Sequence, residues 1–198
     1  MVYTRKEAER FLTRAGWVIA PEYLNKDSYR RAVEDFQRGY TFSNLVPDGV
    51  VGALTSAAMS HSESLGYACS PNFKFKEFLC DCKGELVGCR SIRVDRELVR
   101  SLEKMRAELA PRTGIYIVSG YRCPTINKNV GGRTRPPSHH VTGKAVDILA
   151  KFTVKQIKPA WGFKGVGATR RDIKKPKLAD RRVVHLDNGE HHYLPFPE

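Results

Sequence analysis

No run of about 18 apolar residues occurs anywhere in the chain, which excludes a helix built to cross a membrane. The opening residues, Met1-Val2-Tyr3-Thr4-Arg5-Lys6-Glu7, also lack the apolar centre of a secretory leader and move straight into polar helix. The expectation is synthesis in the cytoplasm, unless a leader has been removed. Acidic charge is scarce beyond residue 70: residues 71–198 carry 26 Lys and Arg against 13 Asp and Glu, while residues 1–70 carry eight of each. The whole net charge of +13 therefore lies in the second part, and Lys151–Arg182 holds 11 basic residues against Asp172 and Asp180. Such a surface attracts polyanions, whether nucleic acid, anionic membrane or wall polymer; the plain alternative is a solvated basic loop. The paired spacing of a zinc ribbon is absent too. Cys80, Cys82, Cys89 and Cys123 are unevenly spaced and Cys69 lies apart, so up to two disulfides or a structural metal site can be drawn, with free buried thiols expected of a cytoplasmic chain. Disulfides are not needed at this length, since a chain of 198 residues buries roughly 70% of its unfolded surface.

What is present divides into two parts. Thr4 and Glu7 form a capping box before Ala8, Phe11, Leu12 and Ala15, and Gly16 stops that helix. Asp27 or Ser28 caps a second helix with Ala32, Val33 and Phe36 on one face. After a Pro47-Asp48-Gly49 turn, Gly52–Met59 reads as a third helix with Leu54, Ala57 and Ala58 inward. Ser60–Asn72 is rich in Ser and Gly and supplies a linker, bounded at 66–72. Beyond it come the aromatic and charged alternation of Phe73–Phe78, a helix capped by Asp95 with Leu98, Leu102, Met105 and Leu109 in a stripe, and a buried strand at Ile115–Val118. Val146–Ile148 is the next strand, a helix can start from a Thr153 cap, and Gly162, Gly165 and Gly167 introduce the basic loop.

Chemistry concentrates in Ser138-His139-His140-Val141-Thr142-Gly143-Lys144-Ala145-Val146-Asp147. His140 offers a neutral nitrogen and Asp147 an oxygen, with Gly143 letting the chain bend between them. Further on, Arg182-Val183-Val184-His185-Leu186-Asp187 alternates so that Val184 and Leu186 share one face, and Val183, His185 and Asp187 the other. His185 can thus complete a His, Asp, His set. Three protein ligands leave a fourth position for water, the mark of a catalytic rather than a structural zinc. His139, His191 and His192 are set aside as neighbours or surface residues.

Ser138, His140, Gly143, Ala145 and Asp147 fit the Ser-x-His-x-x-Gly-x-Ala-x-Asp pattern of the zinc D-Ala-D-Ala carboxypeptidases, and this part of the chain resembles that family, whose members cut peptidoglycan peptides. His185-Leu186-Asp187 resembles its later His motif, and Ser119-Gly120-Tyr121-Arg122 its Ser-Gly-Tyr-Arg motif. The resemblance implies one catalytic Zn2+ held by His140, Asp147 and His185, with Arg122 and Ser138 on the substrate, Arg122 gripping a carboxylate. It also implies an acidic base three positions before the second His, where this chain has Arg182, and Arg cannot accept a proton. Asp187 is taken as the base, with orientation of an imidazole as its alternative role.

Ala32-Val33-Glu34-Asp35-Phe36-Gln37-Arg38, Pro47-Asp48-Gly49-Val50-Val51-Gly52 and Leu54-Thr55 resemble the peptidoglycan-binding domain found beside many wall hydrolases. The expected architecture is therefore a three-helix wall-binding domain at 1–65, the linker at 66–72, and at 73–198 an α+β catalytic domain with a small antiparallel sheet flanked by helices. The expected activity is zinc-dependent cleavage of an amide in wall stem peptides or cross-links, as in a phage endolysin. The partner is bacterial peptidoglycan, with no membrane insertion, no nucleic acid and a monomeric chain. Two alternatives stay open: a wall-binding protein with a degenerate zinc site, and a basic nucleic-acid-binding protein.

Overall fold

Helix α1 (Arg5–Ala15) begins as its sequence dictates: the Thr4 hydroxyl accepts from the Glu7 N–H at 3.3 Å, and the Glu7 carboxylate accepts from the Thr4 N–H at 2.7 Å. The computed structural model that contains it describes residues 2–22, 25–86, 88–110, 114–150, 156–169 and 182–189. Then come α2 (Ser28–Gly39), α3 (Ala53–Ser64), α4 (Arg96–Leu109), β1 (Tyr116–Ser119), α5 (Pro124–Asn129), α6 (His139–Thr142), β2 (Ala145–Ala150), β3 (Gly165–Thr169) and β4 (Arg182–Asp187), with 3-10 turns at Phe75–Phe78 and Pro159–Trp161. None of these helices is long and apolar enough to cross a membrane. The Thr153 cap, most of the basic loop with Asp180, and His191 and His192 lie outside the described residues.

The strands form one antiparallel sheet in the order β1-β2-β4-β3, so the protein is α+β as expected. Val146, Ile148, Val184 and Leu186 face inward and join Leu98, Leu102 and Met105 of α4 in the core. Two strands differ from expectation. β1 is an edge strand whose Tyr116 is exposed while Ile117 is buried. The glycine-rich start of the basic loop is itself a strand: Gly165–Thr169 pairs with β4, because a residue with no side chain is needed where it passes Asp187. A Cβ on Gly165 would lie 2.0 Å from the Asp187 carboxylate.

On α3 the inward face is displaced from the expected one. Leu54 is 78% exposed and Ala57 is exposed, while Thr55, Ser56, Ala58 and Met59 are buried. Hydrogen bonds decide this. The Gln37 amide donates to Thr55 Oγ1 (3.1 Å), Asp48 Oδ1 (2.8 Å) and the Val50 carbonyl (3.0 Å), and the Tyr3 N–H donates to Ser56 Oγ (2.9 Å). Buried polar groups so satisfied can displace a leucine from the interior.

Residues 1–65 share one continuous hydrophobic core with Phe75, α4 and the sheet. Trp17 packs on Phe75 with ring centroids 5.0 Å apart, and its indole N–H donates to the Ile92 carbonyl at 3.2 Å. Arg90 pairs with the buried Asp35 at 2.6 Å. Residues 66–72, expected as a linker, are built into this body: Ala68, Cys69 and Ser70 are buried, and Ser70 and Asn72 both donate to the Glu103 carboxylate.

Candidate metal centre

Ser138 starts the local architecture. Its hydroxyl accepts from the His140 N–H at 3.4 Å and caps the single turn of α6, which presents His140. Gly143 ends that turn in the left-handed region (φ 75°), where a Cβ would also meet the Arg93 carbonyl at 2.7 Å. The chain then enters β2. Sheet register does the rest: Asp147 stands opposite Ser119 of β1 and opposite His185 of β4, so their side chains share one face in a row across the sheet.

Three donor atoms converge there. His140 Nε2 lies 3.2 Å from His185 Nδ1 and 3.3 Å from Asp147 Oδ1, and His185 Nδ1 lies 2.9 Å from the same oxygen. Donors held at roughly 2.0–2.2 Å from one tetrahedral zinc ion sit about 3.3–3.6 Å apart, so the triangle fits such an ion to within a few tenths of an ångström. The tautomer of His140 is forced. Its Nδ1 is 2.7 Å from the Gly120 carbonyl, which can only accept, so Nδ1 carries the proton and the Nε2 lone pair faces Asp147 and His185.

Electrostatics agree with that arrangement at His140 and Asp147. Burial lowers the pKa of His140, favouring the neutral ring a metal requires. Burial alone would raise Asp147, but the hydrogen bond with His185 and the nearby Arg122 charge help to outweigh it and hold the carboxylate far below its usual range. His185 goes the other way: against the lowering effect of burial, hydrogen bonds to Asp147 and Asp187 raise it to about 9.

Arg122 reaches the same row from the loop after β1. Its Nε donates to Ser119 Oγ at 2.8 Å and its Nη2 donates to Asp147 Oδ2. Asp187 is fully buried. Its Oδ2 lies 3.3 Å from His185 Nε2, and its Oδ1 lies 3.0 Å from His139 Nδ1 and accepts from the Gly189 N–H at 3.1 Å. These contacts hold His185 by the nitrogen that faces away from Asp147. Sequence reasoning had set His139 aside; the only hint was that Asp187, next to a ligand-like His, would need a partner of its own. His139 packs where Gly189 has no side chain, since a Cβ there would fall 2.0 Å from its ring.

The family model for peptidase M15 matches residues 71–174, just over half of the chain, and the chain belongs to that family. M15 peptidases are zinc enzymes of peptidoglycan, and this chain is a metallopeptidase of that general kind. The matched span contains Ser119–Arg122 and Ser138–Asp147; His185 and residues 1–70 lie beyond it. No curated protein matches the chain.

Proposed function

We propose that this protein is an endolysin-like peptidase that hydrolyses an amide bond in peptidoglycan stem peptides or cross-links, with His140, Asp147 and His185 holding one zinc ion. The observation that carries the proposal is the triangle of Nε2, Oδ1 and Nδ1 donors, 2.9–3.3 Å on each side, within a peptidase M15 chain. A zinc ion so held would polarise the scissile carbonyl and lower the pKa of a bound water from about 15.7 toward about 7.

The remaining roles follow from what each side chain touches. Arg122 keeps Asp147 ionised and aimed, and its planar fork suits a substrate carboxylate. Ser138 supports His140 as a helix cap by accepting from the His140 N–H, and its O–H is left to donate to substrate. Asp187, buried between His185, His139 and Gly189, orients the His185 ring; its contacts favour that work over proton transfer from water. The helical part at 1–65 would hold the wall, and the net charge of +13 suits its anionic polymers. The site of action is then the bacterial wall.

Incubation of the full chain with purified walls tests this proposal. Release of new amino termini, lost with chelator and in His185→Ala, is the expected result, and mass spectrometry of the fragments names the bond. Sedimentation with walls without new termini would leave a wall-binding protein with a degenerate centre. Salt-dependent retention on DNA with neither property would indicate a nucleic-acid-binding protein.

A further inference from the structure

We propose that Cys80, Cys82, Cys89 and Cys123 bind a second zinc ion, structural in character, which holds the loop carrying Arg122. This site is separate from the His140 centre and does not rest on the function proposed for it. The four sulfurs all lie within 4.8 Å of one another. Cys82 Sγ is central, 3.3 Å from Cys89 Sγ, 3.5 Å from Cys80 Sγ and 3.9 Å from Cys123 Sγ. Thiolates bound at about 2.3 Å around one tetrahedral zinc stand about 3.8 Å apart. Sulfurs this close enclose a single ion, and four of them leave no position for substrate or water.

Two further observations point to a ligand. The Cys123 N–H donates to Cys80 Sγ and the Ser91 N–H donates to Cys89 Sγ, each at 3.3 Å, the outer hydrogen bonds that support metal-bound thiolates. Between its anchored ends at Phe78 and Ile92 the segment contributes little packing, since none of the described residues among 81–90 is buried. Cys80, Tyr121 and Cys123 form a small cluster of their own outside the main core, yet Lys83 and Ser91 keep positive φ angles of 51° and 60°. Three buried residues are a weak constraint on a strained, irregular loop, and a bound ion supplies the missing one.

The consequence for the neighbouring site is direct, because Cys123 follows Arg122 in the chain. The Tyr121 N–H donates to the Phe78 carbonyl at 3.1 Å, so the proposed ion and that bond together fasten Gly120–Cys123 onto Phe78–Cys80. Loss of the ion would loosen Arg122 and the Gly120 carbonyl that fixes the His140 tautomer.

Metal analysis of the full chain, prepared under reducing conditions with zinc in the medium, tests the proposal. Two zinc ions per chain are expected, and one in the double variant His140→Ala, His185→Ala. Cobalt replacement in that double variant should give the intense sulfur-to-metal absorption and visible bands of a tetrahedral thiolate site, and a mercurial thiol reagent should release the remaining zinc stoichiometrically. These measurements need no cysteine substitution, so they stand even where Cys82→Ser fails to fold. A single zinc in the wild type with none in the double variant would overturn the proposal. So would a native mass short by four hydrogens, which marks two disulfides, or bound iron in place of zinc.

Discussion

Replacing Asp187 with Asn separates orientation of an imidazole from proton transfer. In the wild type Oδ2 faces His185 Nε2 at 3.3 Å as an ion pair, while Oδ1 lies 3.0 Å from His139 Nδ1 and accepts from the Gly189 N–H at 3.1 Å. Asn turns one of those acceptors into a donor. Whichever way the amide is placed, a donor then faces a donor in a fully buried position, an unsatisfied contact that costs about 1–3 kcal/mol. Loss of an outer partner of a metal-bound His weakens metal affinity about 10- to 100-fold, which is about 1.4–2.7 kcal/mol, so the two estimates agree. Competition with a chromophoric chelator should show zinc binding weakened by that factor, and kcat measured with the centre fully loaded should stay within a few-fold of wild type. Unchanged zinc affinity would refute the reasoning. Full zinc occupancy with activity abolished would refute it equally and make Asp187 the base.

Because the contacts with Asp147 and Asp187 raise His185 to about 9, zinc uptake at the His140 centre alone below that pH should release about one proton per ion and weaken about tenfold per unit as pH falls, a slope readable by calorimetry in buffers of different ionisation enthalpy. Arg122→Lys should lower zinc content as well as kcat/KM, by about 10-fold or more, because it removes a partner of Asp147 together with the planar fork; normal zinc content would show that the Asp147 contact is dispensable. Trp17→Ala removes a ring packed on Phe75 and should cost about 3–5 kcal/mol, seen as a single melting transition about 6–20 °C lower, whereas two transitions with only one displaced would mean independent halves.

The candidate centre was more legible in the sequence than its surroundings. His140 and Asp147 sit in one short motif, and the alternation of Val183 to Asp187 puts His185 on the face opposite the buried Val184 and Leu186. Their approach depends on register, with Asp147 opposite both Ser119 and His185, and no local pattern records register. Capping was equally readable at Thr4 and Asp95, where the side-chain bonds form as the residue types require. Gly165 and Gly167 misled because glycine is locally a breaker, and the reason for it here, the approach of Asp187, comes from a strand about twenty residues away. The face of α3 was hidden for a related reason: Gln37 and Tyr3 select Thr55 and Ser56, and hydropathy alone favours Leu54. Cys80, Cys82 and Cys89 share one irregular segment and Cys123 lies in the loop after β1, so their uneven spacing left a metal site as only one of the alternatives that could be drawn.

The segment from Phe78 to Ile92 explains how the first helices can matter to a site they do not contribute to. On one side it is fixed by the N-terminal half: Ile92 accepts from the Trp17 indole, Ser91 Oγ accepts from the Val18 N–H at 3.0 Å, and Arg90 pairs with Asp35. On the other side it fixes the loop after β1, through the Phe78 carbonyl to Tyr121 and through Cys80 Sγ to Cys123. That loop supplies the Gly120 carbonyl, and the hydrogen bond from His140 Nδ1 to it leaves Nε2 free of its proton. Each link is a short contact between buried or half-buried groups, so the chain of constraint has little slack. Releasing residues 1–65 would therefore free the segment, then the loop, then the tautomer of a candidate ligand, although no atom of those residues lies in the centre.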